Sequence, residues 1–196
     1  WYTDPIFLGE YPEQGIEVLG NNVPKYTDEE MAIISEPVDF CGLNLYSGFP
    51  VQADPDLEWV CQERSLGNPL TAFKWSVTPE IMYYGPKFIH ERYQKPIYIT
   101  ENGMSGHDWV NEEGEVNDPQ RIQFLKAYLK EFKKAASEKI PVKGYFLWSL
   151  MDNFEWEQGY EERFGIIHVD FETQERRFKD SAKWYSKCIS NNGSSL

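Results

Sequence analysis

The stretch Pro96-Ile-Tyr-Ile-Thr-Glu-Asn-Gly103 is a short apolar run that ends in a carboxylate, an amide and a glycine. Two further runs of the same kind are Val38-Asp-Phe-Cys-Gly-Leu-Asn-Leu-Tyr46 and Lys143-Gly-Tyr-Phe-Leu-Trp-Ser-Leu150. Each is apolar on both faces rather than alternating, which is typical of parallel strands that are covered on both sides. The sequence therefore predicts a buried strand in each of the three runs.

Helical patterns separate and follow these runs. Residues 79–93 are compatible with a helix, which we expect to be kinked or divided at Gly85-Pro86. A second helix is expected to begin at Asp118-Pro119, an N-cap residue followed by proline at the first helical position. Residues 180–189 read as a third helix. Strands that alternate with helices predict an α/β fold with right-handed crossovers.

Two α/β layouts fit this alternation. A doubly wound sheet usually carries a glycine-rich phosphate turn, and neither GxGxxG nor GxxxxGK occurs here. A (β/α)8 barrel places its chemistry at the carboxyl ends of its strands, where this sequence has Asn44, Tyr46, Glu101, Asn102 and Trp148. The barrel is favoured, although 196 residues are fewer than the roughly 250 that it normally needs.

Composition excludes several classes of function. The 19 basic and 32 acidic residues give a net charge of −13, which disfavours binding to nucleic acid or to anionic membranes. Cys41, Cys61 and Cys188 have neither disulfide nor metal spacing, so we expect buried thiols, hydrogen-bonded structural histidines, and no metal or other cofactor. Without a signal peptide or an apolar stretch of membrane-spanning length, the chain is expected to be soluble and cytoplasmic.

Two groups of residues suggest carbohydrate chemistry. Glu101 is a carboxylate at the end of an apolar strand, and Asn102-Gly103 is expected to turn the backbone sharply and hold that carboxylate at a fixed angle. Phe154-Glu155-Trp156 and Trp148 combine an acid with flat aromatic rings, as a pyranose requires. A solvated glutamate and an aromatic packing cluster are the alternative interpretations of the same residues.

Motifs along nearly the whole chain carry a family resemblance. In order they are Trp1-Tyr-Thr-Asp-Pro, Asp39-Phe-Cys-Gly-Leu-Asn-Leu-Tyr46, Tyr98-Ile-Thr-Glu-Asn-Gly103, Trp148-Ser-Leu-Met-Asp-Asn-Phe-Glu-Trp156 and Arg163-Phe-Gly165, followed by Val169-Asp. Together they resemble the C-terminal part of glycoside hydrolase family 1, whose members are retaining β-glycosidases on a (β/α)8 barrel. The resemblance implies a β-glucosidase-type hydrolase.

The resemblance assigns roles around the nucleophile. Glu101 matches the nucleophile on the seventh strand of the barrel, and Tyr46 matches the tyrosine that hydrogen-bonds it from the sixth strand. Asn44 belongs to the same sixth-strand motif, in which Leu45 replaces the usual tyrosine.

The resemblance also implies a sugar site. Trp148, Glu155 and Trp156 match residues that bind the sugar and its hydroxyls, and Phe164 matches an aromatic residue lining the same site. An acid at Glu155 would repel a 6-phosphate, so the implied substrate is an unphosphorylated β-glucoside or cello-oligosaccharide.

The family's acid/base motif, Asn-Glu-Pro, is absent from these residues. Residues 1–196 therefore correspond to a partial barrel domain, strands six to eight, whose N-terminal half lies outside this sequence. Its open strand edges, with Phe40, Leu43, Phe146 and Trp148 expected on the inner face, predict docking against a complementary half or against copies of itself. The alternative is a catalytically incomplete half-barrel that only binds carbohydrate or serves as an assembly fragment.

Overall fold

Six α-helices and seven strands make up the chain in the computed structural model, which describes residues 1–196. In chain order they are α1 (Thr3–Leu8), α2 (Glu13–Leu19), α3 (Asp28–Ile34), β1 (Cys41–Asn44), β2 (Val51–Asp54), β3 (Glu58–Cys61), α4 (Ile81–Tyr93), β4 (Ile97–Asn102), α5 (Pro119–Ser137), β5 (Val142–Leu147), β6 (Ile167–Val169), β7 (Arg176–Phe178) and α6 (Asp180–Ser190). None of these helices combines the length and the apolar character needed to cross a lipid bilayer.

The central sheet is parallel, with the strand order β1-β4-β5. Its strands lie inside the three apolar runs, apart from Val142 at the start of β5, so the three strands and their parallel pairing are confirmed. The prediction that all three are buried is wrong, because one face of the sheet is uncovered and β5 has no buried residue. The register sets Asn44 beside Glu101, and Asn102 beside Leu147. The carboxyl ends of the three strands therefore meet at one edge, while β2–β3 and β6–β7 form separate antiparallel hairpins.

One face of the sheet is covered by α4 and α5. Ile97 and Ile99 are fully buried there among helix residues, and Leu43 packs against the same cluster. The opposite face, which carries Phe40 and Phe146, leaves those rings 49 % and 59 % exposed. The expectation that Leu43 lies on the inner face of the barrel is therefore wrong, because a run that is apolar on both faces does not reveal which residues point which way.

Helix α4 is not divided at Gly85-Pro86, since it runs unbroken from Ile81 to Tyr93 with Pro86 buried inside it. Helix α5 begins at Pro119 after the predicted N-cap, Asp118. The Asp118 carboxylate makes no capping bond because Ser181 N–H donates to it at 2.8 Å and Arg121 also binds it.

One cysteine and two histidines differ from expectation. Cys41 and Cys188 are buried as predicted, but Cys61 is exposed at the end of β3. The prediction for Cys61 is wrong because β2–β3 is a surface hairpin rather than part of the core. The Nδ1 atoms of His90 and His168 are buried without a hydrogen-bond partner, so these rings are not fully hydrogen-bonded structural histidines.

Asp4 ties α1 to the end of α4. Its Oδ1 accepts hydrogen bonds from Arg92 Nε at 2.8 Å and from Tyr93 Oη at 2.5 Å. The Arg92 bond lowers the pKa of Asp4 from 3.8 to about 2, against the opposing effect of burial. Because the folded-state pKa is depressed, this stabilisation is complete above pH 3.8 and is lost as the pH falls through about 2.

We expect Asp4→Asn to remove about 1 kcal/mol of this acid-dependent stability, a modest figure because Arg92 is half exposed. The measurement is the free energy of unfolding in urea, from neutral pH down to about pH 2. Asp56→Asn, on the exposed β2–β3 turn, should keep the wild-type pH dependence. An unchanged pH dependence in Asp4→Asn would contradict the assignment.

Candidate active site

Glu101 lies at the carboxyl end of β4, beside the chain that leaves β1. Tyr46 Oη donates a hydrogen bond to Glu101 Oε2 at 2.8 Å. Burial raises the pKa of Tyr46 well above its usual 10, and the Glu101 bond and the charges of Glu101 and Glu155 add to this effect. The phenol therefore stays protonated and holds one carboxylate oxygen of Glu101 while leaving the other free.

Asn44 is the register partner of Glu101 but does not bind its carboxylate. Its Oδ1 accepts a hydrogen bond from Thr100 Oγ1 at 2.7 Å, on the exposed inner face of the sheet. The structure thus brings Asn44 close to the nucleophile candidate through the backbone, with its side chain engaged elsewhere.

Asn102 joins the carboxyl ends of all three strands. The residue is fully buried; its Nδ2 donates to the Leu45 carbonyl at 2.7 Å, and its Oδ1 accepts from Tyr145 Oη at 2.7 Å. The sequence placed Asn102 at the end of its strand and in a turn, but gave it no hydrogen-bond partners. An amide that ends a buried apolar run needs hydrogen-bond partners, and that requirement is the signal that could have identified this role.

Gly103 is required for space rather than for a turn. Its φ lies outside the left-handed region, and a Cβ built on it would lie 1.8 Å from the carbonyl oxygen of Trp148. Any side chain at this position would collide with the backbone. Residues 103–105 form neither a turn nor a bend, so the sharp-turn interpretation of Asn102-Gly103 is wrong. Gly103 instead lets the segment after β5 lie directly against the segment after β4.

Trp148 and Glu155 come together beside this edge, as the predicted sugar site requires. Trp148 Nε1 donates to Glu155 Oε2 at 3.4 Å, a long bond that leaves most of the carboxylate's acceptor capacity free. Trp156 follows in a 3-10 turn, with a φ of +44° and 79 % of its surface exposed. The loop presents an acid and an indole to open space.

A wall of aromatic rings stands behind Tyr46. Trp75 lies 5.0 Å and Phe164 lies 6.3 Å from the Tyr46 ring centre, and Phe73 packs on Trp75 at 4.5 Å. Phe164 is only 2 % exposed, so here it supports Tyr46 rather than facing an open cleft. Sequence reasoning missed Trp75 and Phe73, which belong to a loop without periodicity.

A buried network of charges lies beneath the loop that carries Glu155. Its members are Asp108, Asp118, Arg121, Asp152, Arg163 and Lys179. Lys179 Nζ donates to Asp108 at 2.5 Å and to Asp152 at 2.8 Å, with both the Lys179 and Asp152 side chains fully buried. Burial and the charge of Arg121 lower the pKa of Lys179, while Asp152 and Asp108 act in the opposite direction.

Asp152 connects this network to both ends of the loop that carries Glu155. It accepts hydrogen bonds from Arg163 Nη1 at 2.6 Å and from the Gly165 N–H at 3.0 Å. Gly165 leaves no space for a side chain, because a Cβ there would lie 2.1 Å from the Asp152 nitrogen. The charges thus fix the chain that runs between Trp148 and Phe164.

Replacing Lys179 with Met should destabilise the protein by about 3–5 kcal/mol, because Asp108 and Asp152 would each lose a buried cationic partner. The measurement is the free energy of unfolding in urea, followed by tryptophan fluorescence. Lys183→Met is the matched control: its side chain is 59 % exposed and should change stability by about 0.5 kcal/mol or less. Equal unfolding midpoints for the two variants would contradict the role of the network.

Comparison with known proteins begins with a family model. The model described as Glycosyl hydrolase family 1 matches residues 1–194. Beta-glucosidase A of Thermotoga maritima is 46 % identical over 193 residues, which cover 98 % of this chain and 43 % of the relative. The 1,4-beta-D-glucan glucohydrolase of Thermotoga neapolitana is 44 % identical over 197 residues, covering 98 % of this chain and 44 % of the relative.

Solved structures agree with this similarity. The Thermotoga maritima beta-glucosidase in complex with deoxynojirimycin matches with a TM-score of 0.88 at 46 % identity, over 98 % of this chain and 44 % of that one. The castanospermine complex also gives a TM-score of 0.88, over 43 % of its chain. The prediction of a partial (β/α)8 barrel is thereby confirmed, and the chain spans less than half the length of each of these relatives.

Proposed function

Since this chain belongs to glycosyl hydrolase family 1, we propose that it forms the nucleophile-bearing part of a retaining β-glucosidase. The proposed reaction is hydrolysis of terminal, non-reducing β-D-glucosyl residues from β-glucosides or cello-oligosaccharides. The observation that carries the proposal is the Glu101 carboxylate at the strand edge, held by Tyr46 at 2.8 Å through one oxygen only.

The free oxygen of Glu101 is the attacking atom. Its electron pair forms a bond to the anomeric carbon while the bond from that carbon to the leaving oxygen breaks, which gives a covalent glycosyl-enzyme and a leaving group that takes up a proton. Water then attacks the same carbon, returns the electron pair to Glu101 and gives up a proton. Two displacements at one carbon retain the β configuration.

The proton donor and acceptor must be a second carboxyl group, about 5–5.5 Å from the nucleophile in retaining enzymes. By family resemblance this group belongs to an Asn-Glu-Pro motif in the complementary half of the barrel, which is not part of residues 1–196. We call this chain and that complementary half, whether in one polypeptide or two, the assembled enzyme. The activity proposed here is that of the assembled enzyme.

The sugar is proposed to lie against Trp148 and to donate hydroxyl hydrogen bonds to Glu155. The long Trp148–Glu155 bond supports this assignment, because it leaves acceptor capacity on the carboxylate beside an apolar ring face. The negative charge of Glu155 disfavours a phosphorylated sugar. The names of the relatives, beta-glucosidase and 1,4-beta-D-glucan glucohydrolase, support glucose as the sugar.

A covalent label tests the proposal. An activated 2-deoxy-2-fluoro-β-glucoside should add one fluoroglucosyl group to the assembled enzyme, because the fluorine slows both displacements while the activated leaving group speeds only the first, so the covalent intermediate accumulates. Peptide mass spectrometry should place the adduct on Glu101. An adduct on another carboxylate would reject Glu101 as the nucleophile. Sugar binding without adduct or turnover would favour a half-barrel that only binds carbohydrate.

A further inference from the structure

Tyr128, in the middle of α5, places its hydroxyl between two main-chain groups of the active-site loops. The residue is fully buried, and its ring stacks on Phe124 with the centres 3.8 Å apart. Its Oη accepts a hydrogen bond from the Thr78 N–H at 2.8 Å and donates to the Tyr46 carbonyl at 3.0 Å. Both partners lie outside helices and strands, so this hydroxyl links the helix layer to two loops at once.

The segment of residues 46–48 is held at both ends. The Gly48 N–H donates to Thr78 Oγ1 at 2.8 Å, while Tyr128 binds the carbonyl of Tyr46. Just before this segment, the Leu45 N–H donates to the Glu101 carbonyl at 2.9 Å and the Leu45 carbonyl accepts from Asn102. Hydrogen bonds therefore anchor the Tyr46 backbone to β4 on one side and to Tyr128 and Thr78 on the other.

We propose that Tyr128 is a positioning residue for the nucleophile, an inference that rests on the proposed role of Glu101. Contacts run without a break from the Tyr128 hydroxyl to the Tyr46 backbone, and from the Tyr46 phenol to Glu101 Oε2. Removing the Tyr128 hydroxyl leaves the partly buried Tyr46 carbonyl and Thr78 N–H without this partner, so both loops are expected to shift to find new ones. A shift of the Tyr46 ring moves or frees the carboxylate that it holds.

The test is Tyr128→Phe in the assembled enzyme, a change that keeps the ring and its stacking on Phe124. We expect kcat/KM for an aryl β-glucoside, counted per site titrated with the fluoroglucoside, to fall about 10- to 100-fold, because small misplacements of a nucleophile cost that much. The affinity for a non-hydrolysable aryl thio-β-glucoside should stay within about twofold, since Trp148 and Glu155 remain in place.

Tyr83→Phe is the matched control. Tyr83 is also a buried helical tyrosine, and its hydroxyl donates to Glu138 at 2.5 Å. Glu138 follows the C-terminal end of α5, which is the end away from the active-site edge of the sheet. The Tyr83→Phe variant should keep the wild-type kcat/KM per site even if it unfolds more easily. If both variants lose stability and neither loses rate per site, Tyr128 is only a structural residue and the inference is overturned.

A double-mutant cycle shows whether Tyr128 acts through Tyr46. In a Tyr46→Phe background the hydroxyl that binds Glu101 is gone, so adding Tyr128→Phe should cause little further loss in kcat/KM. Fully additive losses would overturn the inference. If Tyr128→Phe does not fold, Thr78→Val is the second variant, because it releases Gly48 at the other end of the segment. Thr78→Val should lower kcat/KM, and Thr78→Ser, which keeps the hydroxyl, should restore it. Wild-type rates in Thr78→Val would overturn the inference.

These outcomes are distinct from failure of the proposed function. An assembled enzyme that has no β-glucosidase activity, or that keeps its activity after Glu101→Gln, refutes the function itself. An active enzyme that depends on Glu101 but is indifferent to Tyr128→Phe refutes only the positioning role.

Discussion

In the assembled enzyme, Glu101→Gln should lower kcat/KM for aryl β-glucosides by about 10⁴-fold or more, the size of loss found when a covalent nucleophile is removed. The amide keeps an oxygen that can accept the Tyr46 hydrogen bond, so the geometry of the site should survive. It has no negative charge with which to attack the anomeric carbon. The variant should therefore bind a thio-glucoside normally and form no covalent adduct.

Glu157→Gln serves as the control for this change. Glu157 lies in the exposed 3-10 turn that follows Glu155. Its substitution removes a charge from the loop that carries Glu155 and does not touch Glu101. Its kcat/KM should stay within about twofold of the wild type. Two results together would show that another carboxylate is the nucleophile. Glu101→Gln would keep a tenth or more of the wild-type kcat/KM, and Tyr46→Phe would change kcat/KM no more than Glu157→Gln does.

The strands were predictable from sequence because their residues are apolar on both faces of the sheet. Runs such as the one ending at Glu101 are too apolar and too short for surface strands or amphipathic helices. The same property hid the orientation of single residues, since Leu43 and Phe40 are both apolar and only packing separates them. The unbroken course of α4 through Pro86 was likewise decided by tertiary packing, which overrides local propensity.

The candidate site was predictable where residues of one motif remain neighbours in space. Trp148 and Glu155 belong to one motif and lie together, and Tyr46 and Glu101 end adjacent strands. The buried charges were not predictable, because Asp108, Asp152 and Lys179 are far apart in sequence and the one motif among them, which contains Asp152, does not identify its partners. A lone Asp or Lys in a loop reads as a solvated charge until the fold supplies its partner.

The sheet has two open edges, and we expect them to be closed by another half of the barrel. The order β1-β4-β5 leaves the outer sides of β1 and β5 without strand partners. The inner face carries Phe40 and Phe146 half exposed, and beside β5 a groove of about 520 Å³ is lined by residues that include Leu150 and Phe154. Open edges flanked by apolar surface favour association with a further strand.

Mixing this chain with a complementary half should therefore give a one-to-one complex and raise the rate of aryl β-glucoside hydrolysis about 10²-fold or more over either part alone, the usual contribution of a general acid and base. Glu101→Gln in this chain should abolish the gain, while Lys183→Met, on the exposed side of α6, should leave it intact. Association only with copies of itself, without turnover, would favour the assembly-fragment alternative. A monomer of 23.0 kDa that hydrolyses the glucoside unaided, in a reaction that depends on Glu101, would instead mean that the proton donor lies within these 196 residues and that the open edges need no partner.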